Sequence, residues 1–361
     1  MTRHRTFRKA TFFLLFLLSA CRQSVPENLV YDFRNISEAH ATASEQNASI
    51  TVSGLDNWLF FGPELRHVSV GPFWNEQAAL VSRARNLSDA DPLPAILDFK
   101  RQLDSMGVEL LVVPVPPKIV IYPDQLTSSL PVPLPVPRLD VAHQEFYRLL
   151  QSNGVSVLDL TDVFIRERFH PEGPIYCRTD THWSGVGCMI AGQVIASVIR
   201  EKTWYQGLDT QPFIPRWYTT SIEGDLQTGF DSPASNREEL RLRGIVNYGE
   251  RDTISAISSA DSPIVLVGDS HNLIFHVGGD MHASGSGLAD QLAFELGIAV
   301  DVIGVRGSGA TPARVNLLRR AQQNTNYWDK KRLVVWCFSA REFTETDGWS
   351  LVPITPEIES N

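Results

Sequence analysis

The order of apolar and polar positions divides this chain into alternating helical and extended stretches. Ile96, Leu97, Phe99 and Leu103 recur at helical spacing, which predicts a helix over 94–106 closed by Gly107. Residues 108–115 form an unbroken apolar run, as expected of a strand covered on both faces. A helix is predicted over 141–150, ended by Asn153-Gly154, and a strand over 155–160. Ser184 suits the N-cap of a further helix reaching Arg200. The alternation resumes with strands at 264–267, 300–305 and 333–338 and helices at 287–296 and 313–322. A short aromatic strand follows the Gly/Asp/Asn turn near residue 54, and the Pro-rich stretch 130–137 must be a loop or extended segment. Buried strands alternating with helices imply an α/β fold, with a mainly parallel sheet between two helical layers. Residues 201–260 show no clear period and are expected to be an irregular insertion over the sheet edge.

The two ends read differently from the middle. Arg3, Arg5, Arg8 and Lys9 precede an apolar run, residues 12–18, too short to cross a bilayer, and Leu18-Ser19-Ala20-Cys21 follows. This is the pattern of a bacterial lipoprotein signal over 1–20, with lipid on the Cys21 thiol; an ordinary signal peptide with a chance Cys would look similar. Arg22 after the cysteine, by analogy, favours the outer over the inner membrane, at the periplasmic face. Residues 21–50 are polar and aperiodic and suit a tether. The domain is expected over 51–345, with 346–361 as a tail. No later segment is long and apolar enough to be a transmembrane helix.

The formal charge is −9; without residues 1–20, 28 Lys and Arg face 41 Asp and Glu, a net −13. Such a surface repels nucleic acid. Cys177 and Cys188 bracket one candidate loop and could form a disulfide, or could equally be two buried thiols; Cys337, in LVVWCF, reads as a buried free thiol. With no CxxC pair, a structural zinc site is not expected.

Two short segments can carry chemistry. Gly268-Asp269-Ser270-His271 ends an apolar strand, which puts a hydroxyl at the tip of a tight turn. Asp180-Thr181-His182-Trp183 precedes a helix, and a carboxylate two residues from an imidazole can fix its tautomer. Each alone also reads as a turn or a helix cap. Together they supply the acid, base and nucleophile of an acyl-transfer site: Asp180, His182 and Ser270. The Ser270 amide is one oxyanion donor, and Gly307 or Gly309 could bring a second. Trp183 is a candidate to line the site for a sugar, whereas Trp58 and Trp336 read as core. Arg341, after the last strand, could contact substrate or complete a buried ion pair. His271, His276 and His282 with Asp280 lack metal-ligand spacing and read as loop and packing residues, so no metal is expected.

Five stretches extend the case: GLDNWLFF at 54–61, VVPVPPKIVIYPD at 112–124, TDTHWSGVG at 179–187, VGDSHN at 267–272 and VVWCFSARE at 334–342. In this order they resemble the alginate O-acetyltransferase (AlgX/AlgJ-like) family of SGNH/GDSL-type hydrolases, over about 51–345. The resemblance implies a three-layer αβα SGNH-like fold, with Ser270 as nucleophile, His182 as base and Asp180 as orienting acid. It further implies an acetyl-serine intermediate, a polysaccharide acceptor, a membrane O-acyltransferase as acetyl donor and no cofactor. The Gly-Asp-Ser loop itself stands nearer to the GDSL esterases, so a carbohydrate esterase, or a non-catalytic polysaccharide-binding lipoprotein of an export complex, are the alternatives.

Overall fold

The computed structural model describes residues 26–227, 237–247 and 253–354. Cys21 and the expected signal lie outside these residues. The strands are β1 (Thr51–Ser53), β2 (Leu59–Phe61), β3 (Glu109–Val115), β4 (Ser156–Val157), β5 (Phe213–Ile222), β6 (Glu238–Asn247), β7 (Ile264–Gly268), β8 (Asp301–Gly304) and β9 (Leu333–Ser339). Five of them form a parallel sheet in the order β4-β3-β9-β7-β8. The last strand therefore enters between β3 and β7, and Trp336 lies level with Val112 on one side and Val267 on the other.

Side chains alternate across the sheet, so each central strand feeds two cores. Leu111, Val113, Ile264, Leu266, Val335 and Cys337 face one core, built with helices Gly185–Arg200 and Leu288–Leu296. Val112, Val265, Val267, Val334, Trp336 and Phe338 face the other, built with helices Pro92–Ser105, Val141–Ser152 and Thr311–Gln322. This is the three-layer αβα architecture expected from the sequence.

Three expectations need correction. Residues 27–46, expected to be tether, form a helix, Glu27–Gln46, whose Leu29, Phe33, Ser37, Ala41 and Ser44 are buried at helical spacing. Arg34 Nε of that helix donates to Ser69 O at 2.9 Å, at the end of helix Gly62–Ser69. The expected tail is packed as far as it is described, with Trp349 and Ile354 in the second core. Among its described residues the insertion is not wholly irregular: β5 and β6 pair antiparallel over ten residues each.

Candidate active site

The nucleophile segment is placed by two backbone constraints at the carboxyl end of β7. A Cβ on Gly268 would stand 1.6 Å from the Cys337 carbonyl oxygen, so only glycine lets the chain turn this close to β9. Asp269, fully buried, then accepts from His271 N (2.9 Å) and His271 Nδ1 (3.0 Å) through Oδ1, and from Ser339 N (2.6 Å) through Oδ2. Burial acts to raise its carboxyl, but the His271 charge and hydrogen bond, Arg341 and the Ser339 amide hold it down at about 2. The turn is thereby tied to β9, and Ser270 opens a single 3-10 turn, Ser270–Asn272.

The acid–base segment is held by four side chains. Ser184 Oγ accepts from Val186 N (3.1 Å) and Gly187 N (3.3 Å), capping the helix as predicted. Glu238 of β6 accepts from Arg178 N (2.8 Å), Thr179 N (2.9 Å) and Thr179 Oγ1 (2.9 Å). Asp225 accepts from Thr181 N (2.7 Å) and Thr181 Oγ1 (2.6 Å). From below, the buried Lys118 ammonium donates to Leu59 O (2.6 Å), Arg178 O (2.9 Å) and Asp180 O (3.1 Å).

The two segments meet. Ser270 Oγ–H donates to His182 Nε2 at 2.7 Å, and His182 Nδ1–H donates to Asp180 Oδ1 at 2.6 Å. Asp180 Oδ1 also accepts from His182 N (3.0 Å); Oδ2 accepts from Asp225 N (3.0 Å) and His282 Nε2 (2.9 Å). All three residues of the line are at most 7% exposed. Burial would lower the His182 imidazole, but the Asp180 charge and hydrogen bond and the Asp225 charge outweigh it, and Arg341 only partly offsets them. His182 is therefore raised above the ordinary imidazole range. Burial would raise Asp180, yet the His182 charge and the donors from His182 and His282 hold it well below the usual carboxylate range. The arrangement can take a proton from the Ser270 hydroxyl and hold it as an Asp180-stabilised imidazolium.

Other expected site residues fall differently. Trp183 does not line the site: it is fully buried, donates Nε1 to His271 O (3.1 Å) and packs edge-on to His271. Cys177 and Cys188 are free buried thiols, not a disulfide; Cys177 lies beside Trp183 O and Cys188 inside helix Gly185–Arg200. Gly309 presses against the nucleophile turn, where a Cβ would stand 2.9 Å from Asp269 N, and its carbonyl accepts from Trp336 Nε1. Gly307 is exposed, with nothing within 4 Å of a Cβ, so of the two glycines only Gly309 touches the turn. Arg341 donates to Ser339 Oγ (2.9 Å) and lies over the Phe61 ring; among the described residues no carboxylate is within ion-pair distance of it. Its charge still reaches Glu64 and Glu342, two buried carboxyls that burial pushes up to about 7.

The histidines weighed as metal ligands are dispersed onto separate carboxylates: His271 onto Asp269, His276 onto Asp290 and His282 onto Asp180, while Asp280 pairs with Arg306. Asp180, His182 and Asp225 offer ligand atoms within 4.8 Å of one another, but an ion among them would compete with the bond between His182 Nδ1 and Asp180. Asp225, Glu238, Lys118 and His282 escaped sequence reasoning as site residues. Lys118 stood inside a motif quoted above; Asp225 and Glu238 stood in an insertion without one.

The profile of the family described as "SGNH hydrolase-like domain, acetyltransferase AlgX" matches residues 51–340. The chain belongs to this AlgX-type acetyltransferase family. Among curated relatives, the probable alginate O-acetylase AlgJ of Pseudomonas aeruginosa is 24% identical over 297 residues, 80% of this chain and 69% of that protein. The AlgJ of Pseudomonas syringae pv. tomato is 28% identical over 177 residues, 49% of this chain and 40% of that one. The chain thus spans between two fifths and about two thirds of these relatives' length. The solved O-acetyltransferase domain of Pseudomonas putida AlgJ superposes with a TM-score of 0.59 at 21% identity, covering 82% of this chain and 93% of that one. Pseudomonas aeruginosa AlgX gives 0.58 at 14% identity, over 82% and 63%. These two likenesses establish the fold.

Proposed function

We propose that the chain is a serine-dependent O-acetyltransferase acting on hydroxyls of an extracytoplasmic polysaccharide. The observation that carries this reading is the continuous hydrogen-bonded line Ser270 Oγ–His182 Nε2, His182 Nδ1–Asp180 Oδ1 at the carboxyl end of a central strand. His182 Nε2 takes the Ser270 proton as Oγ attacks the acetyl carbonyl of the donor. The tetrahedral intermediate carries its oxyanion beside the Ser270 amide, which makes no hydrogen bond among the described residues. Collapse releases the donor's leaving group, which takes the proton from His182, and leaves acetyl-Ser270. A sugar hydroxyl then gives its proton to His182 and attacks the acetyl carbon; Ser270 leaves and is reprotonated by His182.

The acceptor class follows from relatives named as alginate O-acetylases; alginate or another exopolysaccharide fits that kinship. The family likeness also supports a membrane O-acyltransferase as acetyl donor. The Leu18-Ser19-Ala20-Cys21 pattern supports a lipid anchor on Cys21 at the periplasmic face of the envelope, the outer membrane above the inner.

The test is intact-mass spectrometry after exposure to an activated acetyl ester, followed by addition of an oligosaccharide. The expected result is one acetyl on the protein, absent in Ser270→Ala, that moves to the sugar. Release only as free acetate would make the protein an esterase. Absence of any adduct on folded protein would leave only a binding role.

A further inference from the structure

We propose that His282 is a positioning residue for the acid–base pair, holding Asp180 from the side opposite His182. This rests on the reading of Ser270, His182 and Asp180 as the reacting line, and adds to it a residue outside that line.

Asp180 lies between two imidazoles. His182 Nδ1 donates to Oδ1 at 2.6 Å, and His282 Nε2 donates to Oδ2 at 2.9 Å. The second contact spans 102 residues of sequence and joins the acid segment to the loop that follows the nucleophile. That loop grows directly from the Ser270 turn, since Ile274 N donates to Ser270 O at 2.9 Å. It then folds back on itself: Gly278 N donates to Ala283 O (2.9 Å), Gly285 N to His276 O (3.1 Å) and Ser286 N to Phe275 O (2.7 Å). The segment that presents the hydroxyl therefore also grips the acid that orients its base.

The backbone at His282 is the independent sign. Its φ is 67° and its ψ −63°, and Ala283 N donates to Met281 O at 2.9 Å. This is a γ-turn centred on a residue with positive φ, a rare and strained conformation for a side chain with a Cβ. Strain of this kind persists only where the surroundings over-determine it, and it concentrates at functional sites. Here the strained residue is the one whose ring reaches the triad acid. The loop is braced by the two-bonded pair between Arg306 and Asp280 (2.8 and 2.7 Å) and by the His282 ring against Phe275.

What the contact does follows from its place. A cavity of about 230 Å³ opens beside the pair, lined in part by Asp180, His182, Asp225 and His282. His282 and the Asp225 amide occupy Oδ2 on that side. With His282 gone, Oδ2 keeps only the Asp225 amide, and the carboxylate is less firmly fixed in its place against His182. More of the negative charge then rests on Oδ1, so the pair holds the His182 proton to a higher pH. The other charged groups facing the pair are Asp225, 3.7 Å from His182 Nδ1, and Glu223 on the same cavity wall, with Lys118, His271, Arg341 and Asp280 around it. All of them stay in place in the variants below.

The test is the rate at which an arylsulfonyl fluoride labels Ser270 in the full chain, followed by intact mass across pH. His282→Leu is expected to label roughly tenfold more slowly at the plateau, as loss of a hydrogen bond to a charged group implies. The acid limb of its profile is expected to move to higher pH. His282→Gln, whose amide can reach the same oxygen, should restore both the rate and the limb. His282→Gly should label as slowly as the leucine variant, yet unfold no earlier than wild type, because glycine relieves the positive φ. A purely structural role would instead lower the unfolding temperature of both variants and leave the profile's midpoint in place, and that outcome overturns the proposal. Wild-type labelling in His282→Leu overturns it as well. Labelling of Ser270→Ala at the wild-type rate would sink the nucleophile assignment instead, a distinct result.

Discussion

Asp180 and His182 pull each other's titration in opposite directions, and this links stability to activity. The Asp180 carboxyl is held below its ordinary range, so its contribution to stability is present above the unfolded carboxylate value, about 4, and is lost as pH falls through the folded value. His182 is raised, so its contribution is complete below the unfolded imidazole value, about 6.5, and is lost as pH rises through the folded one. The ion pair therefore stabilises the fold most between those two ranges. The proposed reaction needs the opposite state, because Nε2 accepts the Ser270 proton only when His182 is neutral. Ser270 labelling should thus rise with a midpoint above 6.5, over the same pH span in which the unfolding temperature declines. Asp180→Asn removes the main cause of the rise and leaves only the Asp225 charge to oppose burial at His182. The midpoint should move down while the plateau rate falls by about 10⁴, as it does when the orienting carboxylate of a serine protease is replaced. A pH–rate profile of the variant that keeps the wild-type midpoint would show that Asp180 is not the group that sets it.

At the scale of elements, the site depends on how closely β7 approaches β9. Gly268→Ala would drive a methyl onto the Cys337 carbonyl, and neither strand end can yield without breaking the parallel ladder. This should cost about 3 kcal/mol or more in urea unfolding. Gly307→Ala has a positive φ of 97° but open space around it, so only the backbone term remains, about 1 kcal/mol. Equal losses for the two would mean that the approach of the strands is not what demands Gly268. The same closeness explains what sequence could and could not tell. β3, β7 and β9 are buried on both faces and so read as apolar runs. β4 pairs for only two residues because Asp159 turns away to cap Thr161 N and to hold Arg138. The hairpin β5–β6 escaped notice because most of β5 faces outward, with Arg216 and Trp217 exposed. The Ser270–His182–Asp180 line was legible because each member ends or precedes a regular element. His282, Asp225 and Glu238 were not, because their place comes from contacts across 45 to 102 residues that no local pattern encodes.

For the whole molecule, the matched region 51–340 is not the whole of the packed unit. Helix Glu27–Gln46 buries Leu29, Phe33 and Ala41, and on the other side Trp349, Val352 and Ile354 are buried. The tail is also tied by Trp349 N to Asp89 O (2.7 Å) and by Ser350 Oγ to Asp89 Oδ2 (2.7 Å). Five large apolar side chains at 1.5–3 kcal/mol each amount to roughly 10 kcal/mol, an upper bound but of the order of a typical domain's entire stability. The helix was not legible because its buried face carries Ser37, Ala41 and Ser44 where a sequence pattern looks for large apolar residues. It nevertheless bears on the site. It packs on helix Gly62–Ser69, whose Glu64 accepts from Ile119 N (3.3 Å), the residue after Lys118, and Lys118 holds the Asp180 carbonyl. A fragment of residues 51–345 should therefore lose both cooperative unfolding and Ser270 labelling, whereas 26–354 should keep both. If the shorter fragment melted at the same temperature as the longer and labelled as fast, the flanking segments would contribute nothing to the fold that holds the site. If it stayed folded but labelled slowly, the loss would trace to the path from helix Glu27–Gln46 through Glu64 to the Asp180 loop.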